Sequence, residues 1–241
     1  MILIIDSGNT STKIGEFNNG KLTKIIERKT LIEVSETIND LQPHQVIVGS
    51  VKFQTEKLLS QIHNIPSFVI SHLTRLPFEI DYKTPETLGI DRIAAVSGAW
   101  HKYKNQNLLI IDAGTCITYD FISNQGVYKG GGISPGIDIK LKALHQFTEN
   151  LPEIDFDPDV ELVGDSTRNS ILSGVINGTI AEIEGIITRY QENYENLTVI
   201  IGGGHSFFFE SKIKHSIFAF PNLVLWGLYS IYRYNVREIS S

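Results

Sequence analysis

The chain has 241 residues, 41% hydrophobic and 20% charged, enough to bury a sizeable core in one or two domains. Lys and Arg number 21 against 27 Asp and Glu, and the resulting charge of −6, with no basic block, argues against a nucleic-acid partner. A single cysteine, Cys116, excludes an internal disulfide framework and fits a reducing compartment.

The N-terminus enters MILIIDSGNT with no basic segment and no cleavage pattern, so it reads as a first strand over 2–5 rather than a signal peptide. No apolar run approaches the ~20 residues of a membrane helix, and the expectation is a cytoplasmic chain with no membrane partner. A second strand is expected over 12–17. Asn18-Asn19-Gly20 then makes a hairpin turn into a third strand, LTKIIERK. An amphipathic stretch at 31–41 ends before Pro43. The apolar run QVIVGSV at 45–51 reads as a buried parallel strand. A helix near 54–63, a strand at 67–71 and a polar loop over 72–85 follow. Helical spacing of Ile90, Ile93, Ala94 and Ser97 then puts Asp91 at a helix start.

At Leu108 the pattern restarts. LIIDSGNTSTKI at 3–14 and LIIDAGTCITYD at 109–120 share Leu, Ile, Ile, Asp, Gly and Thr at matching positions. Each copy is a buried strand that delivers a carboxylate to a tight turn, whose backbone N–H groups can face an anion. Such duplication exposes architecture. Strands are expected over 108–112 and 116–123, then a Gly-rich turn, a helix over 137–147, an acidic loop over 153–165 and a long helix over 167–190. TVIIGGGH is a strand into a glycine turn, and NLVLWGLYSIYRY closes the chain as an amphipathic helix. Each half is three antiparallel strands followed by alternating helix and strand, so the fold class is α/β with a mixed sheet in each half. The division expected is 1–107 and 108–241.

Several motifs dissolve on inspection. GEFNNGKL at 15–22 nearly matches a P-loop but ends in Leu22 and sits in a hairpin turn. DFDPD at 155–159 lacks the Gly and Glu of an EF-hand, and the seven histidines show no zinc spacing. Cys116 reads as a small buried residue of an apolar strand rather than a nucleophile. DSGNT with Lys13 is different, because backbone N–H groups, Asn9, Thr10 and a cation together suit phosphates. GGGISPG at 130–136 reads as a wall near the second turn. In GIDR, Asp91 either complements a helix dipole or serves as a general base beside Arg92, and spacing does not decide between them.

With these residues in order, the chain resembles the type III pantothenate kinases of the acetate kinase, sugar kinase, heat-shock protein and actin superfamily. The resemblance rests on DxGNTxxK from Asp6 to Lys13, LGxDR from Leu88 to Arg92, DxGTxxTxD from Asp112 to Asp120, GGxIxPG from Gly130 to Gly136 and the closing helix from Leu223 to Leu228. It covers nearly the whole chain. It implies duplicated actin-like (ribonuclease H-like) domains, each with a mixed five-stranded sheet, and an ATP cleft between them. The implied reaction is phosphorylation of the primary hydroxyl of pantothenate by Mg-ATP. The phosphate loop would be Asp6, Ser7, Gly8, Asn9, Thr10, Ser11, Thr12 and Lys13, with Asp6 near the magnesium-bound phosphates and Thr115 touching ATP. Asp112 would hold a monovalent cation, K⁺ or NH₄⁺. Asp91 would take the hydroxyl proton, and Tyr82, Gly89, Ile90, Arg92 and Thr167 would line the substrate pocket. Family members are homodimers, so Thr167 would act across subunits. Two alternatives stay open: a nucleotide-binding regulator without catalysis, and a kinase for another small alcohol.

Overall fold

The apolar run ahead of Asp6 has no room for polar side chains, and in the structure it becomes β1 (Ile2–Ser7), the central strand of a five-stranded sheet. The structure is a computed structural model that describes residues 1–8, 11–50, 55–62 and 64–239. β1 runs antiparallel to β2 (Thr12–Asn18), and β2 antiparallel to β3 (Lys21–Arg28). The connection between β2 and β3 has Asn19 at φ 50° and Gly20 at φ 79°, the paired left-handed residues that match the twist of a tight hairpin. On its other side β1 pairs in parallel with β4 (Gln45–Ser50), which pairs with β5 (Ser67–Val69).

Helices α1 (Leu31–Leu41) and α2 (Thr55–Gln61) cover one face of this sheet, burying Val34, Ile38 and Leu58 against Leu3, Ile5, Val46 and Val48. Thr30 starts α1 with a reciprocal cap: its hydroxyl accepts from the Glu33 N–H, and Glu33 accepts from the Thr30 N–H. The polar stretch 72–85 contains a two-residue strand, β6 (Glu79–Ile80), and a 3-10 turn follows it at Pro85–Thr87. These precede α3 (Ile90–Lys102), whose inner face is almost entirely buried.

The second sheet repeats the first. β7 (Asn107–Ala113), β8 (Cys116–Ile122), β9 (Val127–Pro135), β10 (Leu197–Gly202) and β11 (Phe218–Ala219) lie in the order β11-β10-β7-β8-β9, the same permutation as β5-β4-β1-β2-β3. As β1 pairs in parallel with β4, so β7 pairs in parallel with β10. A sixth strand, β6, joins at Val127 and Tyr128 of β9. The expected Gly-rich turn after β8 is therefore corrected: Gly130, Gly131 and Gly132 lie within β9. A side chain at Gly131 would fall 1.6 Å from the Tyr119 carbonyl, so glycine is what lets the two backbones approach.

Helix α4 (Ile137–Gln146) leads to the 27-residue α5 (Thr167–Asn193), and α6 (Ser206–Lys212) follows β10. By length and mean hydropathy, 1.3 over its best window, α5 could cross a membrane, contrary to the expectation that no run approaches that size. Its Ile171, Val175, Ile176, Ile183 and Ile187 are instead buried in the core with Leu109, Ile111, Val199 and Ile201.

By contact the chain forms two compact units. The first holds Met1–Asn105, Ile122–Lys129 and the segment from Asn222 onward, and the second holds Gln106–Phe121 and Gly130–Pro221. The closing helix α7 (Leu223–Ile239) thus packs in the first unit, on the face of the sheet that Gly15 and Gly49 leave open for Leu225 and Leu228. It crosses α3 closely, since a side chain at Gly227 would fall 1.7 Å from the Ala94 carbonyl and one at Gly98 2.7 Å from the Leu223 carbonyl.

Candidate active site

In the first unit, β1 ends at a turn closed by the Gly8 N–H donating to the Ser11 carbonyl at 3.1 Å. Beneath it the hydroxyls of Ser7 and Thr12, each 1% exposed, hydrogen-bond at 3.1 Å. Asp6 and Lys13 face each other in the ladder, so their side chains lie on one side of the sheet. The structure therefore brings Asp6, Ser7, Gly8, Ser11, Thr12 and Lys13 together at one strand end. Asn9 and Thr10 lie outside the described residues.

The same unit places Gly89 as the N-cap of α3, with Asp91 in the first turn. Asp91 Oδ1 accepts from the Arg92 N–H at 2.9 Å. A Cβ at Gly89 would lie 2.2 Å from that oxygen, so only glycine lets the carboxylate fold back over the helix start. This realises the dipole reading of Asp91, and it also holds the carboxylate in a fixed, half-buried position beside the buried Arg92. Ile90 is buried under the same turn. Sequence reasoning missed His72, whose Nε2–H donates to the Leu88 carbonyl at 2.7 Å and anchors the entry to the motif. Tyr82 follows β6, with its ring 6.1 Å from that of Tyr128. The Asp81–Lys129 ion pair at 2.6 Å and the Asp81 N–H bond to the Tyr128 carbonyl fix this stretch.

In the second unit, Asp112 lies next to the end of β7, opposite Gly202 of β10. The turn after it is closed by the Gly114 N–H donating to the Cys116 carbonyl, and Thr115 is exposed. Two glycines press on this turn from outside. A side chain at Gly136 would lie 2.3 Å from the Gly114 carbonyl, and one at Gly203 would lie 2.4 Å from the Ala113 carbonyl. Gly203 has φ 87° as well, so the triple glycine meets a conformational need there. Thr167 opens α5, where Ser166 caps the helix by accepting from the Asn169 N–H. It lines a groove of about 1000 Å³ between α4 and α5, whose walls include Ile139, Leu144, Phe147, Ile171 and Val175. Asp157, from the acidic loop, pairs with Arg168 at 3.0 Å, and that contact holds its carboxyl below the usual range.

Comparison with known proteins adds the chemistry. The family model described as type III pantothenate kinase matches residues 2–189. The type III pantothenate kinase of Cytophaga hutchinsonii is 42% identical over 98% of this chain and 100% of its own length, and that of Christiangramia forsetii is 42% identical over 99% and 100%. Among solved structures, a Campylobacter jejuni protein described as a conserved Baf family transcriptional activator is 22% identical, with a TM-score of 0.65 over 98% of this chain and 99% of that one. A ROK family glucokinase from Streptomyces griseus, in complex with glucose and AMPPNP, is 12% identical with a TM-score of 0.53 over 94% and 97%. At these identities both structures show the fold alone.

Proposed function

The chain belongs to the type III pantothenate kinases, and we propose how its own residues carry out that family's reaction, the ATP-dependent phosphorylation of pantothenate to 4′-phosphopantothenate in coenzyme A biosynthesis. The observation that carries the residue assignment is Asp91, a carboxylate locked at a helix start by Gly89 and the Arg92 N–H.

In the first unit we assign the loop Asp6–Lys13 to the ATP phosphates. Its backbone N–H groups and Lys13 would offset their charge, and Asp6 would face the magnesium brought with ATP. Phosphoryl transfer needs positioning and charge neutralisation rather than covalent catalysis, and bound Mg²⁺ would supply part of that neutralisation. Asp91 Oδ2 accepts the proton of the primary hydroxyl as its oxygen attacks the γ-phosphorus and ADP leaves. Arg92, Gly89, Ile90 and Tyr82 line the substrate. A planar guanidinium suits the anionic end of pantothenate.

In the second unit Thr115 contacts ATP, and Asp112 is assigned to a monovalent cation, K⁺ or NH₄⁺. Among the described residues no three His, Cys, Asp or Glu gather to hold a metal ion. We further propose a homodimer in the cytoplasm, with a second copy covering the apolar groove between α4 and α5 and with Thr167 serving the partner's substrate. Phe147, 85% exposed on that groove, is the kind of apolar surface a partner covers.

The test incubates purified protein with Mg-ATP, potassium and pantothenate and identifies the product by mass. Absence of phosphopantothenate would sink the assignment and favour a nucleotide-binding regulator. Phosphorylation of another small alcohol in preference would redirect the substrate. Replacing potassium with sodium should depress the rate, whereas indifference removes the cation role of Asp112. Light scattering that reports a monomer removes the trans role of Thr167.

A further inference from the structure

The second unit contains a polar cluster that none of these roles uses. Glu182, in the middle of α5, accepts from the Tyr119 hydroxyl at 2.8 Å, from Lys140 Nζ at 2.6 Å and from the Ser134 hydroxyl. Lys140 Nζ also donates to Thr179 Oγ1 at 3.0 Å. Burial pushes the Glu182 carboxyl up, but the bonds from Lys140, Ser134 and Tyr119 and the Lys140 charge outweigh it and hold the group below the ordinary glutamate range.

The three partners come from three segments, and each segment leads to the second phosphate turn. Tyr119 lies on β8, which leaves that turn at Cys116. Ser134 lies two residues before Gly136, whose N–H donates to the Thr115 carbonyl at 3.0 Å and whose Cα packs on Gly114 and Thr115. Lys140 is one helical turn beyond Gly136, and its N–H donates to the Gly136 carbonyl at 3.0 Å. A carboxylate is the side chain that accepts three donors at once, and no neutral residue of that size does so.

We infer that Glu182 is a positioning residue for the nucleotide: by gathering Tyr119, Ser134 and Lys140 it fixes where the Gly114–Thr115 turn stands. The inference rests on the assignment of that turn to ATP. It sets no requirement at the substrate pocket, since Thr167 is four helical turns away on α5.

The experiment is Glu182→Gln, measured by steady-state kinetics for both substrates and by hydrogen exchange at the amides of residues 113–116. The expected result is faster exchange at the turn and a fall in kcat/KM for ATP of up to about 10²-fold, as misplacement by an ångström produces, with the KM for pantothenate within about twofold. Tyr119→Phe should shift both readouts the same way by less, and it carries the test if Glu182→Gln does not fold. Ile183→Val, in the adjacent core, should lower the melting temperature and leave the KM for ATP alone. An equal rise there would make the effect one of general loosening and overturn the proposal. Unchanged exchange in Glu182→Gln overturns it whatever the kinetics. Faster exchange with unchanged ATP kinetics overturns the assignment of the turn to ATP, and the proposal with it.

Discussion

The two copies of the LIID-x-G segment start alike and then solve the same problem by different means. The first turn is closed by its own neighbours, with the Gly8 N–H on Ser11 and a buried hydroxyl pair between Ser7 and Thr12. It carries its cation locally, as Lys13 beside Asp6. The second has Tyr119 at the position matching Lys13, and that tyrosine turns to Glu182 instead. Its shape is imposed from outside by Gly136 and Gly203. A duplicated segment can thus keep its strand and its carboxylate while the means of support diverge. Among the described residues, the hydrogen bonds that close the first turn are local, and the second takes its shape from segments further along the chain.

The largest expected effect lies in neither copy. Asp91→Asn should lower kcat roughly 10²- to 10⁴-fold while calorimetry still registers ATP binding. A near-normal rate would return proton transfer to a residue of the two turns. Glycine substitutions test the contrast directly. Gly136→Ala and Gly203→Ala each force a Cβ into a backbone carbonyl of the second turn, at a cost of about 1–3 kcal/mol or more in chemical denaturation. Among the described residues, Gly8→Ala meets only the Ser11 carbonyl, at 3.4 Å, and should cost far less. Equal losses would end the distinction between internal and external support.

A smaller effect belongs to the first turn. Ser7→Ala leaves the buried Thr12 hydroxyl without that partner and should cost about 1 kcal/mol, with part of the loss recovered in the Ser7→Ala/Thr12→Val double variant. Independent, additive losses would show that the two hydroxyls do not act as a pair. The smallest effect is a pH dependence peculiar to the second copy. Because the Glu182 pKa is lowered on folding, its contribution to stability is present above the unfolded glutamate pKa and fades as pH falls through the folded one. Melting curves taken from neutral to acid pH should therefore fall less steeply for Glu182→Gln than for the parent. Parallel curves would remove the linkage.

The same contrast explains what could be read in the sequence. The Asn19-Gly20 hairpin, the buried strand β4 and the helix that carries Asp91 follow from short-range patterns, and the structure has them. β9 reads as a turn from sequence because Gly130, Gly131 and Gly132 look like a break, when glycine is required at 131 by the approach of the Tyr119 backbone. β6 is two residues long, and its partner lies at Val127–Tyr128, so no local signal announces it. α6 is a short SFFFESK segment whose aromatic triplet masks its helical period. His72 and Glu182 were illegible for the same reason, since each acts through a contact 16 or 63 residues away. The grouping of residues at the first turn and at the start of α3 is readable because each group is contiguous in the sequence.

The crossing of α3 and α7 has a consequence for synthesis. The helix that carries Asp91 and Arg92 packs through Ala94 and Gly98 on Gly227 and Leu223, near the end of the chain. As the polypeptide emerges from the ribosome, the sheet of the first unit is made early, but Gly15 and Gly49 lack Leu225 and Leu228 until α7 arrives. The segments of the second unit end at Pro221, so it can close earlier. Synthesis therefore begins the first unit and finishes it last, and a nascent chain arrested before Leu223 would carry the whole Asp6–Lys13 segment while the helix bearing Asp91 still lacked a seat.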